Sequence, residues 1–385
     1  MKTIRHSALR FLAVLITSAL AQTALDAGQS PTAVSARPCR VVNDTQGRHF
    51  PPDSGQALED AIAAANPDDE LHISGICRGT YELTQNIRLI GVPTRQFPTP
   101  TLDGEEAGTT LRISSRATAT LTGLTITGGN SAGPEVDPIA FLGGGIDNNG
   151  NLTLISCVVI GNSAPHPREG GGILNRGSLV LREGSIVSGN VAGDEGGGIS
   201  NSGVAVIASS MVVGNIAGFS GAIAGFGGAI SNGHMLTIDA STITGNVAEF
   251  GAGAIRNTGT LIVRNTSTVS YNRAPSAGGI LNHSILTVDS STVNGNTASD
   301  SGGGIANIGG IATVNASTVS GNEGKMGGGI YNDNNGATTL NLSLVTTNRA
   351  VIAGGGIYNA SGIVTLNSSD VTENIPDNCV GVPGC

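Results

Sequence analysis

Acidic and basic side chains that could take part in chemistry recur at regular spacing along the chain. Asp239 and Asp289 stand at equivalent positions of repeated segments, and Arg264 occupies the same position of the segment between them. Carboxylates in such a row could bind calcium, and a basic neighbour could abstract a proton from a uronate polymer. A whole segment separates the two carboxylates, so we interpret all three residues as solvated strand charges.

Other catalytic sets are not recognisable in the sequence. His234 lies in Asn-Gly-His-Met, without the acidic neighbours that polyuronate hydrolysis would need, and we interpret it as a turn residue. We find no Ser-His-Asp set, phosphate-binding Gly-rich loop or Cys/His metal spacing. The sequence therefore predicts no catalytic residue, metal-ligand set or cofactor. A site assembled in space from distant segments would not be visible at this level.

Acidic residues also recur at one corner of the repeat. They are Glu135, Asp137, Glu169, Asp194, Glu195, Glu249, Asp300 and Glu323. Four basic residues fall on the same corner: Arg168, Arg273, Lys325 and Arg349. We therefore interpret the acidic residues as solvated loop charges, with calcium held between successive turns as the alternative.

Two tyrosines and two long insertions are candidate binding features. Tyr331 and Tyr358 occupy matching positions of adjacent repeats and should stack outside the core, where they could form a small platform for a carbohydrate or a peptide. Simple stacking of neighbours is the alternative. The insertions, Ser131 to Leu142 and Ile216 to Phe226, lie on the acidic corner, and long loops on a rigid scaffold often carry recognition. An extracellular glycan or protein surface is the expected partner.

Five cysteines suggest two disulfides. Cys379 and Cys385 flank the turn-rich segment Val-Gly-Val-Pro-Gly, which could bring them together. Cys39 and Cys77 bracket the N-terminal segment and would pair by elimination. Cys157 stands where other repeats carry Ser, which predicts a small buried side chain. Pairing is the expectation for an exported protein, and free thiols are the alternative.

Composition argues against several function classes. The 385 residues include 59 Gly without a three-residue period, so the chain is not collagen-like. A formal net charge of −9 argues against nucleic acid or an anionic membrane surface as a partner. Trp is absent and aromatic residues make up 3%, which argues against broad aromatic platforms.

The N-terminus has the pattern of a secretory signal. A basic start precedes the apolar stretch Phe11 to Leu20, which is too short to span a bilayer, and Ala19-Leu20-Ala21 fits a cleavage site. No second apolar run of spanning length follows. We expect a signal peptide at 1–21, an N-terminal segment at 22–53, a capped solenoid at 54–375 and a Cys loop at 376–385. The expected location is secreted or at the cell surface.

A repeat of about 25 residues must position all of these side chains. The motif Gly-Gly-Gly-Ile-x-Asn, or a near variant, occurs nine times, with its Ile at 146, 173, 199, 230, 255, 280, 305, 330 and 357. A short alternating run such as Leu236-Thr237-Ile238 follows, and then Ser-x-Val/Ile-x-x-Asn. Three short alternating segments per repeat are typical of a solenoid whose turns stack about 4.8 Å apart. We predict an all-β, right-handed parallel β-helix with three sheets.

Stacking would align like residues into columns. The nine Ile residues form one inward column, and the second comprises Val159, Val187, Val212, Ile243, Val269, Val293, Val319, Val345 and Val371. Asn148, Asn175, Asn201 and their successors could form a ladder of side-chain amides at one corner.

Residues 54–66 predict a helix that would cap the N-terminal end of the solenoid. Ser54 could cap the helix, and Leu58, Ile62 and Ala65 share one face. Asn66-Pro67 would end it. An open solenoid end exposes the apolar core, which makes such a cap necessary.

These motifs resemble those of a known group of proteins. The Gly-Gly-[Ala/Gly]-Ile and x-x-Asn units resemble the repeats of chlamydial polymorphic outer membrane proteins and, more widely, secreted bacterial pectin-lyase-like β-helix proteins. The family's Phe-x-x-Asn appears here with Val or Ile, as in Val187 to Asn190. Leu58-Glu-Asp-Ala-Ile62 resembles part of the CSLREA segment, with Gln56 and Ala57 in place of its Cys-Ser. The resemblance implies the fold and export but little about activity.

We expect an adhesin-like binding or structural role without enzymatic activity. A polysaccharide lyase or hydrolase with a shallow groove is one alternative. Ice or crystal-surface binding is another, because four consecutive turns could present an outward hydroxyl array: Thr242-x-Thr244, Thr268-x-Ser270, Thr292-x-Asn294 and Thr318-x-Ser320. Met211 and Val213 precede this array, and Leu344 and Asp370 follow it. Since Thr is also common on solvated strands, we expect no ice binding.

Overall fold

The computed structural model describes residues 38–133, 142–218 and 225–385. The predicted signal peptide, residues 22–37 and the central parts of both insertions lie outside the described residues. Parallel strands stack as a β-solenoid of about 11 turns, as the repeat predicts. Each regular turn contributes one strand to each of four sheets, in the chain order A, B, D and C.

Sheet A contains the alternating Leu-x-Leu type strands. An antiparallel pair, β1 (Cys39–Asn43) and β2 (Arg48–Asp53), forms one edge, and β1 also pairs antiparallel with β3 (Asp69–Ser74). The parallel strands that follow β3 are Ile87–Gly91, Thr118–Thr122, Asn151–Ile155, Ser178–Arg182, Val204–Ala208, Met235–Asp239, Thr260–Arg264, Ile285–Asp289, Ile311–Asn315, Gly336–Asn341 and Gly362–Asn367. The sheet therefore begins before residue 54, where we expected the solenoid to start.

Sheets B and C complete the wall around the core. Sheet B consists of Ile76–Arg78, Thr101–Asp103, Thr125–Thr127, Val158–Ile160, Ile186–Ser188, Met211–Val213, Thr242–Thr244, Thr268–Ser270, Thr292–Asn294, Thr318–Ser320, Leu344–Thr346 and Asp370–Thr372. Sheet C consists of Tyr81–Leu83, Leu111–Ile113, Ile146–Asn148, Ile173–Asn175, Ile199–Asn201, Ile230–Asn232, Ile255–Asn257, Ile280–Asn282, Ile305–Ile308, Ile330–Asp333, Ile357–Asn359 and Cys379–Val380.

A fourth sheet was not expected from the sequence. Sheet D is built mostly from two-residue strands that follow the x-x-Asn motif: Ser163–Ala164, Val191–Ala192, Ile216–Ala217, Val247–Ala248, Arg273–Ala274, Thr297–Ala298, Glu323–Met326 and Arg349–Ala353. Its Ala side chains form a small cluster of their own (Ala217, Ala248 and Ala274) rather than joining the main core. Two residues are too few to show alternation, so the sequence carries no period-two signal for these strands.

Sheets A, B and C enclose the main core. The nine Ile residues pair in register along sheet C and are at most 1% exposed. The predicted Val/Ile column pairs in register along sheet B. Each buried aliphatic side chain contributes about 1.5–3 kcal/mol, so several per turn build a continuous core. Gly228 shows why the turns need glycine, because a Cβ there would overlap the carbonyl oxygens of Gly253 and Val247.

Two ladders of buried asparagine side chains connect successive turns. The first runs from Asn148 to Asn359 at the end of the sheet C strands, with each Nδ2 donating to the next Oδ1 at 2.7–2.9 Å. It confirms the predicted amide ladder. The second runs from Asn162 to Asn374 after sheet B, at 2.9–3.0 Å. In both ladders the donor side chain belongs to the earlier turn.

One helix, α1 (Gln56–Ala64), packs against β1 and β2 at the N-terminal end. Leu58 and Ala61 are buried in the main core, and Ile62 is half-buried against it. The expected Ser54 cap is wrong, because Oδ1 of Asp53 accepts the backbone N–H groups of Gly55 and Ala57 instead. Since Asp53 lies one residue earlier, its carboxylate has the reach to satisfy the free donors of the first turn.

Disulfides join both predicted cysteine pairs. Cys39 is bonded to Cys77, which ties β1 to the first strand of sheet B. Cys379, in the last strand of sheet C, is bonded to Cys385, and this bond closes the C-terminal loop. Cys157 keeps a free thiol and is fully buried, as its place in the Ser column predicts.

Candidate functional site

The second residue of each sheet C strand points away from the main core and pairs with the second residue of the strand in the next turn. These residues, here called the outward column, are Glu82, Arg112, Asp147, Leu174, Ser200, Ser231, Arg256, Leu281, Ala306, Tyr331, Tyr358 and Val380. The column is mostly polar or charged as far as Arg256 and mostly apolar from Leu281 onward. The two parts of the column therefore differ in chemistry, and most of the members from Asp147 to Tyr331 are buried beneath the segments that link sheet D to sheet C.

Two glutamates from the segments that link sheet D to sheet C reach the polar part of this column. Oε2 of Glu169 accepts the hydroxyl of Ser200 at 2.9 Å. Oε2 of Glu195 accepts a hydrogen bond from the hydroxyl of Ser231 at 2.6 Å. The other carboxylate oxygen, Oε1, accepts one from Nη1 of Arg256 at 2.7 Å. Glu169 and Glu195 are therefore bound to the sheet C face and are not the freely solvated loop charges that we expected.

Asp147 is the buried acid of this face, with 1% of its surface exposed. Nη1 of Arg176 donates to its Oδ1 at 2.7 Å, and Nδ2 of Asn149 donates to its Oδ2 at 3.2 Å. Burial raises the pKa of Asp147 above its ordinary value, while the neighbouring Arg176 opposes that shift. A buried acid with a perturbed pKa and a charged partner is a common feature of functional sites.

A cavity of about 300 Å³ lies beside this pair and is lined by Glu169, Leu174, Arg176 and Ser202. Burial raises the pKa of Glu169; the hydrogen bond from Ser200 and the charge of Arg176 oppose that shift. The cavity brings together a carboxyl group, a guanidinium group, a hydroxyl group and an apolar side chain. Such a set can form hydrogen bonds to a polar ligand while packing against its apolar face.

This cluster is not recognisable in the sequence because three kinds of segment contribute to it. Glu169 comes from a linking segment, Leu174 from a sheet C strand, and Arg176 and Ser202 from the turns that follow two such strands. The available signal was the charged residue at the middle of the Ile-x-Asn motif, as at Asp147. Only the stacking of turns shows which linking residues face that position.

The predicted tyrosine pair lies in the apolar part of the outward column. The rings of Tyr331 and Tyr358 stack with centroids 5.8 Å apart and an interplanar angle of 8°. Tyr331 packs in a small cluster with Ala306 and the partly buried Met326, and 8% of its surface is exposed. Its hydroxyl donates to Asp333, and burial is the main cause that raises its pKa to about 12. The half-buried Tyr358 therefore presents more ring surface than Tyr331.

The two carboxylates at equivalent positions of the repeat, Asp239 and Asp289, lie on sheet A. The carboxylate of Asp239 accepts two hydrogen bonds, one from Nε of Arg264 at 2.9 Å and one from Nδ2 of Asn265 at 2.8 Å. The Asn265 hydrogen bond is the main cause that lowers the pKa of Asp239, and Arg264 lowers it further. Asp289 pairs in register with Asn315, one turn beyond Arg264. The structure therefore brings Asp239 and Arg264 together but places Asp289 apart from Asp239.

Several acidic residues of the corner form ion pairs with basic neighbours. Asp194 contacts His166 at 2.6 Å, Asp300 contacts Lys325 at 3.8 Å, and Glu323 contacts Arg349 at 3.7 Å. Glu249 follows a sheet D strand. Glu135 and Asp137 lie outside the described residues.

The predicted hydroxyl array lies on sheet B. Thr242, Thr268, Thr292 and Thr318 pair in register on successive turns. Met211 and Leu344 occupy the same column on either side, as expected. Tyr271, which is 68% exposed, lies at the border of the array with its ring against Gly295.

In the part of the chain that the structure describes, no helix has the length and apolarity needed to cross a membrane. Comparisons of the chain with protein-family models, with curated proteins and with solved structures found no match.

Proposed function

We propose that this protein is an exported, adhesin-like β-solenoid that binds an extracellular glycan at the cavity beside the polar part of the outward column. The cavity between Glu169, Leu174, Arg176 and Ser202 is the observation that carries the proposal. At this point a concave shape is combined with charged, hydroxyl and apolar groups. A sugar ring offers hydroxyl groups and an apolar face to match them.

Export rests on the pattern of residues 1–21 and agrees with the two disulfides of the folded chain. The resemblance of the repeats to those of secreted pectin-lyase-like proteins and polymorphic outer membrane proteins also supports a location outside the cell or at its surface. The cavity draws its lining from successive turns spaced about 4.8 Å apart, and this stacking holds the lining residues in fixed relative positions.

Binding of the purified chain to an immobilised glycan panel tests the proposal. We expect at least one glycan to bind, and the substitutions Arg176→Ala and Glu169→Gln to weaken binding by about tenfold or more, since each removes a charged hydrogen-bonding group. Arg349→Ala and Glu323→Gln change the same residue types in an exposed ion pair several turns away, and should leave binding intact. Absence of glycan binding, or equal losses in both pairs of variants, would refute the proposal.

Cleavage of an acidic polysaccharide at the same cavity is the second candidate. It is favoured by Glu169, a carboxyl group in the cavity lining whose pKa is raised by burial, and by the buried Asp147, which holds the cavity-lining Arg176 through a 2.7 Å hydrogen bond. A carboxyl group that keeps its proton at higher pH can act as a general acid. Incubation with a panel of uronate polymers, with and without calcium, would show turnover that Asp147→Asn and Glu169→Gln abolish. Binding without turnover would favour the adhesin-like role.

A further inference from the structure

The N-terminal edge of sheet A contains a cluster of side chains that the proposed function does not use. Asp44, Glu70 and His72 each place one possible ligand atom so that the three atoms lie within 4.8 Å of one another. Glu70 and His72 are two residues apart on β3, so they share its outer face. Asp44 follows β1, and its backbone N–H donates to the carbonyl of Glu70 at 2.9 Å.

We propose that Asp44, Glu70 and His72 form a binding site for a divalent transition-metal ion such as Zn²⁺. Two carboxylates and one imidazole are ligands that Zn²⁺ accepts, whereas Ca²⁺ and Mg²⁺ favour oxygen ligands alone. Three protein ligands leave at least one coordination position for water or for another ligand.

The orientation of Glu70 supports this assignment. Nη1 of Arg88 lies 3.2 Å from its Oε1, and Nε2 of His72 lies 3.9 Å from its Oε2. Arg88 therefore pairs with one carboxylate oxygen of Glu70, and the other oxygen faces His72. A metal ion between Oε2 and Nε2 would need only a small adjustment, because Zn²⁺ bonds to oxygen and nitrogen are about 2.0–2.2 Å long.

A groove beside the cluster is a second observation, and its lining includes Asp44 and His72 but not Glu70. It has a volume of about 460 Å³ and is lined by Asp44 and His72 together with His49 and Arg40. His49 and His72 both pair with Val42, from opposite sides of β1, so the two imidazoles share one face of the sheet. The open coordination positions of the ion would face this groove.

Hydrogen bonds next to the cluster fix its backbone. Asp69, 3% exposed, accepts Nδ2 of the buried Asn43 at 2.7 Å and the backbone N–H of Asn66 at 2.8 Å. Oγ1 of Thr45 accepts the backbone N–H of Glu70 at 2.9 Å. These bonds hold the residues next to Asp44 and Glu70, and a rigid backbone reduces the cost of ordering metal ligands.

Calorimetric titration of the full chain, without an affinity tag and after treatment with a chelator, tests the site with ZnCl₂. We expect one equivalent of Zn²⁺ to bind and CaCl₂ to bind at least about tenfold more weakly. His72→Ala should weaken Zn²⁺ binding by about tenfold or more, and Glu70→Gln, which keeps the size of the side chain, should also weaken it. His234→Ala, which removes an exposed histidine far from β3, is the matched control and should have no effect.

Far-ultraviolet circular dichroism of each variant separates loss of the site from loss of the fold. If His72→Ala fails to fold, Glu70→Gln and Asp44→Asn carry the same test. Substoichiometric Zn²⁺ binding, an equal affinity for Ca²⁺, or unchanged affinity in the ligand variants would overturn the proposal. Glycan binding at the cavity beside the polar part of the outward column is independent of all three outcomes.

Discussion

Asn374 and Asn378 join the last turn of the solenoid to the C-terminal loop. Oδ1 of Asn378 accepts both the backbone N–H of Asn374 at 3.1 Å and its Nδ2 at 3.2 Å. Asn378 thereby takes the place that the Asn of the following turn takes elsewhere in the second ladder. The carbonyl of Gly381 ends the first ladder in the same way, by accepting Nδ2 of Asn359 at 2.9 Å. The loop closed by Cys379 and Cys385 therefore terminates both ladders.

Opening this loop should loosen the last turn alone. In a Cys379→Ser/Cys385→Ser double variant, we expect amide hydrogen exchange to accelerate by roughly tenfold or more in residues 357–372, because local opening no longer has to break a closed cap. Exchange in the turns around Ile255 should stay unchanged, since each turn contacts only its neighbours. Cys157→Ser is the control for cysteine removal. Equal protection of the last turn in both variants would contradict the capping role.

Removing one rung of the first ladder should destabilise the fold. Asn257 accepts Nδ2 of Asn232 and donates to Oδ1 of Asn282, and all three residues are buried. Asn257→Ala would leave buried polar groups unpaired, so we expect the free energy of unfolding to fall by about 2–4 kcal/mol in urea titrations. Asn367→Ala, at the exposed edge of sheet A, should change it by less than about 0.5 kcal/mol. Equal effects of the two substitutions would contradict this account.

Thiol labelling should distinguish Cys157 from the other cysteines. Its side chain is fully buried, and burial raises the pKa of its thiol, so the reactive thiolate is scarcer than for an ordinary cysteine at any given pH. We expect no labelling by Ellman's reagent in the native protein, even at pH 9, and one labelled thiol after denaturation without a reductant. Labelling of native protein at the rate of a free peptide cysteine would contradict the burial of Cys157.

Two aspartates should have opposite effects on stability. The folded-state pKa of Asp147 is raised, so its ionisation opposes folding at neutral pH, and this penalty disappears as the pH falls to 3.8, the ordinary pKa of an aspartate. Asp147→Asn should therefore stabilise the protein at pH 7 and lose that advantage in acid.

Asp239 is the matched control, because it also pairs with an arginine but its pKa is lowered. Its stabilising contribution is present above pH 3.8 and is lost as the pH falls through its lower folded-state pKa. Asp239→Asn should thus destabilise the protein at pH 7, by less than about 1 kcal/mol for this partly exposed pair. Thermal unfolding of both variants from pH 3 to pH 7 measures whether each substitution raises or lowers the stability. A change in the same direction at pH 7 for both variants would contradict the opposite pKa shifts of the two aspartates.

The hydroxyl array of sheet B should not bind ice. Tyr271 protrudes at its border, and Met211 and Leu344 interrupt the threonine column, so the flat hydroxyl surface covers only a few turns. We expect no thermal hysteresis and unmodified ice crystals in a nanolitre osmometer. Hysteresis that Thr292→Tyr abolishes would show that this face has a function.

The regular turns could be predicted because local pattern and stacking agree in them. The Ile residues of the Ile-x-Asn motif pair in register, and the first amide ladder follows from one Asn recurring at one corner. The second ladder was not anticipated, although Ser-x-Val/Ile-x-x-Asn showed the same recurrence, because an Asn that ends a strand motif also suits a plain turn.

The cavity and the metal cluster depend on contacts that the sequence does not encode locally. Arg176 reaches Asp147 across one turn, and Glu195 reaches Arg256 across two. Asp44 meets Glu70 only because β1 runs antiparallel to β3. A repeat pattern identifies which residues align, whereas these side chains come from segments outside the pattern.

The constant 25-residue spacing from Ile230 to Ile330 has an evolutionary consequence. Residues 278–302 form one complete turn. Removal of this turn would join Ala277 to Gly303, and Gly303 is the residue of the next turn that is equivalent to residue 278. Both amide ladders, both disulfides and the cavity at Arg176 would be retained, while the molecule would shorten by about 4.8 Å. Duplication of that segment would lengthen it by the same step. The length of the solenoid can therefore change in steps of one turn. A gene that gains or loses 75 base pairs in this region changes this length and leaves both ends of the solenoid unaltered.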